Sequence, residues 1–140
     1  MNLVFKVKSL PEKKILFIAK KIFKNFKLLN PKYKNSLVDV VFVGSVSMKK
    51  LNFFYRKKNH DTDVLSFPLN LSWRGNNYLG DIVISKQKMI KQSKNTSLEE
   101  EFTRLFVHGL YHLIGFDHQT EEEYLIMKKK ETTLIKKVQK

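Results

Sequence analysis

The segment from Ser97 to Gly115 can fold in essentially one way, and it organises the rest of the chain. Ser97-Leu98-Glu99-Glu100 carries the grammar of a helix start. A hydroxyl accepts from one orphan backbone N–H, and a carboxylate three residues on answers another. Leu98, Phe102, Leu105, Phe106, Gly109 and Leu113 then recur at steps of three and four, the period of a helix with one buried face. Gly115 stands where a C-terminal glycine belongs, free to take positive φ and turn the chain back. A helix with so continuous an apolar stripe has to be covered by other elements.

The preceding sequence supplies them. Leu3 to Val7 alternates like a strand. Ser9-Leu10-Pro11-Glu12 opens a helix, with Ser9 as its cap, that buries Ile15, Ile18, Ala19, Ile22, Phe23 and Phe26 and ends at Asn30-Pro31. The β-branched run Leu37 to Val43 suits a strand buried on both faces, and Gly44-Ser45 leads into a helix carrying Met48, Leu51, Phe54 and Tyr55. Asp63 to Phe67 reads as a short strand stopped by Pro68, Trp73 to Asn77 as an exposed loop, and Leu79 to Ser85 as a strand in which Gly80 allows a bulge or a close approach. A short helix covers Lys86 to Gln92. After the Ser97 helix, a last one capped at Thr120 turns Tyr124, Met127, Leu134 and Val138 inward. The order βαβαββααα predicts an α+β fold, with a small mixed sheet of about four strands packed with about four to five helices, as a single domain over residues 1–140.

The Ser97 helix also carries chemistry. His108 and His112 stand four apart, so both imidazoles leave one face a turn apart. That spacing lets two nitrogens share a metal at about 2.0–2.1 Å. Beyond the glycine turn, His118 can return a third nitrogen. Three of the four histidines lie in this window, which separates it from the single structural histidine common on helices. Three neutral imidazoles leave a tetrahedral ion one open position, the arrangement of catalytic zinc. Nickel or another transition metal suits the same donors. The chain has no cysteine, so disulfides and thiolate sites are excluded.

Charge narrows the partner. Lys and Arg total 27 against 13 Asp and Glu, a formal +14, and such a surface attracts nucleic-acid phosphate. The excess is mostly lysine beside abundant Asn and Ile, a bias an AT-rich genome also produces. The longest apolar run, Ile15 to Ala19, falls far short of the roughly 18–20 residues that cross a bilayer. The N-terminus lacks a signal peptide's apolar block. The expectation is a cytoplasmic protein with no membrane partner.

His-x3-His-x5-His is also the spacing of metzincin peptidases, which place a Glu directly after the first histidine as general base. Gly109 occupies that position. It either admits close packing or leaves room beside the metal, and either way the peptidase base is missing.

The run His108-Gly109-Leu110-Tyr111-His112-Leu113-Ile114-Gly115-Phe116-Asp117-His118 resembles the HGxxHLxGxDH motif of the YbeY family. Leu51-Asn52, Tyr55-Arg56 and Thr62-Asp63-Val64-Leu65-Ser66-Phe67-Pro68 resemble a second block of that family, and Leu79 to Ser85 a third, all in the same order. Lys57-Lys58-Asn59-His60 departs from the Gly and acidic residue common there, and makes His60 a fourth imidazole to watch. The resemblance implies a zinc-dependent, single-strand-specific endoribonuclease of small-subunit ribosomal RNA maturation and ribosome quality control, with ribosomal RNA and ribosomal particles as partners and no role for DNA. It implies His108, His112 and His118 as metal ligands and Arg56 as the catalytic cation that faces the developing phosphate charge. Zinc makes water acidic enough to dispense with a protein base. Asp63 and Asp81 either support ligands or form turns; Asp117 either orients an imidazole or shapes its turn. Trp73 and Tyr78 either stack on unpaired bases or pack underneath. Two other functions share the metal site: a metallohydrolase of peptides or small molecules, and a ribosome assembly factor whose metal supports only the fold.

Overall fold

A computed structural model describes residues 1–58, 60 and 62–139. The elements are β1 (Asn2–Phe5), α1 (Glu12–Leu29), a 3-10 turn (Pro31–Tyr33), β2 (Ser36–Val43), α2 (Ser45–Arg56), β3 (Val64–Trp73), β4 (Asn76–Ser85), α3 (Lys86–Gln92), α4 (Leu98–Leu113) and α5 (Glu121–Val138). The strands form one mixed sheet in the order β1-β2-β4-β3. β1, β2 and β4 run parallel, and β3 returns antiparallel to β4 at the edge. The α+β architecture expected from the sequence is the one observed.

The period of two along the strands divides the core between the two faces of the sheet. Val38, Val40, Phe42, Ile82 and Ile84 are buried in one cluster with Ala19 and Phe26 of α1 and Phe102, Phe106 and Tyr111 of α4, and α5 packs on those two helices. On the other face Val43, Leu65 and Val83 close around Met48 of α2. α4 is therefore the central helix, in contact with β3, β4, α1, α3 and α5. Its cap forms as expected, with Ser97 Oγ accepting from the Glu100 N–H at 3.1 Å.

Several boundaries differ from the sequence reading, each for a local reason. β3 does not stop at Pro68. It runs on to Trp73, because an edge strand tolerates a residue without a donor. Trp73 to Asn77 is not a loop but a tight hairpin, with Arg74 (φ 49°) and Gly75 (φ 82°) both left-handed as a two-residue turn demands. Gly80 does both things expected of it. Leu79 is an extra residue between the β2 pairings of Tyr78 and Gly80, and a Cβ on Gly80 (φ +143°) would lie 2.1 Å from the Phe67 carbonyl oxygen. Ser9 does not cap α1. It takes a left-handed turn (φ 68°), and Pro11 stands at the helix start without a side-chain cap. β2 is buried on alternate residues at its start rather than on both faces, since α2 covers only part of the second face. Tyr124, placed inward by its spacing, is half exposed.

Candidate metal centre

The last two turns of α4 carry His108 and His112, half-buried, with their Nε2 atoms 3.0 Å apart. The helix ends as its glycine requires. Gly115 takes φ +104°, its N–H donates to the His112 carbonyl at 3.1 Å, and the Phe116 N–H reaches back to the Tyr111 carbonyl at 3.0 Å. That reversal brings exposed His118 beside the pair, with ring centroids 5.3 Å from His108 and 5.0 Å from His112. One nitrogen from each ring lies within 4.8 Å of the others. The sequence-predicted triad thus converges.

The donor chemistry suits a transition metal. A ligating imidazole must be neutral, and burial, followed by the neighbouring imidazoles, holds the His112 pKa below its ordinary value. The set contains nitrogens only, and three of them leave room for exchangeable ligands. The three residues can hold one metal ion.

A carboxylate completes the arrangement from α5, a helix whose sequence points to no functional residue. Glu131 of α5 accepts from His108 Nδ1 at 2.7 Å, with only 14% of its side chain exposed. This leaves His108 Nε2 pointing at His112. The signal was present but faint: Glu131 falls four after Met127 and three before Leu134, on the buried stripe of α5, directly after three lysines.

Gly109 is pressed against the sheet. An added Cβ would meet Ile82 carbons at 2.8, 3.1 and 3.2 Å, so the glycine serves close packing. Its carbonyl accepts from Ser66 Oγ at 3.1 Å, tying β3 to α4 beside the histidines.

The other acidic candidates have structural partners. Asp117 Oδ1 accepts from the His118 N–H at 2.8 Å and so shapes the turn. Asp63 receives Arg104 at 3.2 Å and Gln92 at 3.3 Å, while Arg104 also grips Glu101. This network anchors the start of β3 to α4. Asp81 and Asp39 both accept from the Tyr78 hydroxyl, at 2.5 and 2.7 Å. Burial, then these two carboxylates, pushes the Tyr78 phenol far above its usual range. Trp73 is exposed with the Arg74 guanidinium 5.2 Å from its ring. His60 does not join the triad; its carbonyl accepts from the Asn52 amide at 2.8 Å. Asn59, part of the same run, lies outside the described residues.

A cleft of about 870 Å³ opens over the triad. The three histidines line it, and so do Arg56, the last residue of α2, and Lys58 just beyond it. The cation singled out from sequence and the three imidazoles therefore share one cavity. A smaller recess of about 280 Å³ borders His108 and His118 between α4 and α5. Among the described residues no helix is long and apolar enough to cross a membrane.

Comparison with known proteins places the chain in a family and a fold. Residues 4–139 match the family model described as Endoribonuclease YbeY. A protein named Endoribonuclease YbeY from Onion yellows phytoplasma (strain OY-M) is 43% identical over 106 residues, covering 72% of this chain and 73% of that protein. One of the same name from Buchnera aphidicola subsp. Acyrthosiphon pisum (strain APS) is 38% identical over 131 residues, covering 91% and 81%. A solution structure of a Thermotoga maritima protein superposes with a TM-score of 0.63 at 22% identity, covering 99% of this chain and 89% of that one, and shares the fold.

Proposed function

The chain belongs to the Endoribonuclease YbeY family, and we propose that it is a zinc-dependent endoribonuclease that cuts single-stranded segments of ribosomal RNA precursors. Its place is small-subunit rRNA maturation and ribosome quality control in the cytoplasm, with ribosomal particles as partners, and residues 1–140 act as one domain. The observation that carries this reading is the single cleft lined by His108, His112, His118 and Arg56.

His108, His112 and His118 would hold the ion. When bound, it would supply Lewis acidity toward a phosphoryl oxygen or the oxygen of a water molecule, making that water easier to deprotonate. The remaining work falls to the chain itself. Glu131 keeps the proton of His108 on Nδ1, so that Nε2 is the free donor. Arg56 presents a permanently charged guanidinium to the phosphodiester, where negative charge grows as the bond breaks. The +14 surface draws the polyanion in. Gly109, packed on Ile82 where a metzincin peptidase keeps its glutamate, supports phosphodiester over peptide hydrolysis.

The test is cleavage of ribosomal RNA by metal-loaded protein freed of contaminating nucleases. Wild type is expected to cut single-stranded segments and to stop on chelation. Arg56→Ala is expected to cut at least about a hundredfold more slowly, as for loss of one donor to a developing oxyanion. Intact RNA beside a working control nuclease would leave the assembly-factor role. A His112→Ala variant that cuts like wild type would sink the metal mechanism.

A further inference from the structure

The aromatic end of α2 has no task in the core. Spacing placed Phe54 and Tyr55 on an apolar stripe with Met48 and Leu51, yet the sheet buries only Met48 fully, with Leu51 packed partly against the same cluster. Tyr55 is 62% exposed. Its position is nonetheless defined. Its ring meets that of Phe67 on β3 at 5.1 Å and a steep 68° angle, and both rings line the cleft that contains the histidine triad. Arg56 and Lys58 follow Tyr55 along the chain and line the same cleft.

We propose that Tyr55, backed by Phe67, is a stacking platform for one unpaired nucleobase of the RNA, beside the phosphodiester that the triad and Arg56 address. The inference rests on the nuclease reading and specifies how its site takes substrate. The Tyr55 ring, held by Phe67 in the cleft lining, keeps much of its surface open to solvent, and a nucleobase is a flat ring system attached to a phosphate. The cations beside the ring match that phosphate, and stacking on an aromatic ring favours no particular base. The cleft of about 870 Å³ lies in the range of sites that enclose drug-sized ligands, about 300–1,000 Å³, which suits a nucleotide and not a helix. In duplex RNA the bases are already stacked on one another and cannot reach the platform, whereas splayed single-stranded bases can. Preference for single strands would then arise at Tyr55, while the histidines serve the cut itself.

The experiment is equilibrium binding of a fluorescent single-stranded oligoribonucleotide, and of the same sequence as a duplex, to the full chain in EDTA so that nothing is cleaved. Tyr55→Ala is expected to weaken single-strand binding about tenfold and to leave duplex binding unchanged. Tyr55→Phe and Tyr55→Trp keep the affinity. Tyr55→Leu, which preserves an apolar contact with Phe67 but has no ring, binds as weakly as Tyr55→Ala and decides the matter if the alanine variant folds poorly. Replacing nucleosides one at a time by abasic sites should reveal one position at which Tyr55→Ala costs nothing further. Wild-type affinity in Tyr55→Leu, equal losses for strand and duplex, or no abasic position that removes the effect would each overturn the platform. The same variants, metal-loaded, report on cleavage separately. Cleavage by wild type together with unaltered binding by Tyr55→Leu rejects the platform and keeps the nuclease; selective loss of single-strand binding without any cleavage by wild type does the reverse.

Discussion

Glu131 and Gly109 show how single residues set the geometry of the histidines. Glu131 was hidden in the sequence, because a carboxylate after Lys128-Lys129-Lys130 reads as part of a solvated helix face. Only packing of α5 on α4 reveals that it meets His108. Removing the acceptor leaves the ring free to turn and to change tautomer. Glu131→Ala should therefore weaken zinc binding by about 10–100-fold, while Glu131→Gln, which keeps an oxygen for the Nδ1 proton, loses less. Competition with a chromogenic chelator measures both, and equal affinity in Glu131→Ala would remove Glu131 from the site. Gly109 was legible as unusual but not as to cause. Alanine is the better helix former by up to about 1 kcal/mol, yet its Cβ would sit 2.8 Å from Ile82. Overpacking of that kind costs about 1–3 kcal/mol, so Gly109→Ala should destabilise the fold in urea unfolding. A gain in stability would show that Ile82 yields freely.

At the scale of elements, the sequence was most readable where one face dictates the pattern. α4 could be placed from Ser97 to its glycine because cap, apolar stripe and turn agree, and two of the three histidines followed from that helix, the third from the turn after it. Gly115→Ala should accordingly act on both fold and site. Left-handed backbone costs a residue with a Cβ about 1–2 kcal/mol, and a shifted turn moves His118 away from His108 and His112. Zinc affinity should drop together with stability, as a zinc titration beside an unfolding curve would show; unchanged affinity would mean that His118 finds its place without this turn. β3 was harder to read. Its inward alternation fades after Phe67 as it passes the bulge opposite Leu79, and its outer residues Leu69, Leu71 and Trp73 are exposed. Pro68 therefore looked like a terminus, and the Arg74-Gly75 turn looked like part of a loop. The end of α2 misled in the opposite direction, because Phe54 and Tyr55 keep helical spacing without being buried.

Across the whole molecule, topology brings together what the sequence keeps apart. Arg56 ends α2, Ser66 and Phe67 lie on the edge strand, His108 and His112 lie on the central helix, and all border one cleft. No spacing rule predicts that convergence. It depends on β3 returning antiparallel beside β4, so that its start lies against α4, where Ser66 bonds Gly109 and Arg104 holds Asp63. The charge acts at this same scale. Binding of single-stranded RNA should weaken linearly in the logarithm of salt concentration, and Arg56→Ala should reduce that slope by about 0.7, one phosphate contact in single-stranded RNA. An unchanged slope would place Arg56 away from the backbone. Zinc that binds the folded chain alone must also stabilise it.

The central claim is that three histidines hold one catalytic metal ion, and it is tested most directly by elemental analysis of protein purified without added metal. One zinc ion per chain is expected in the wild type, and none in a folded His112→Ala variant. Metal-free wild type that takes up no zinc when it is supplied, or a His112→Ala variant that retains a full equivalent, would contradict it.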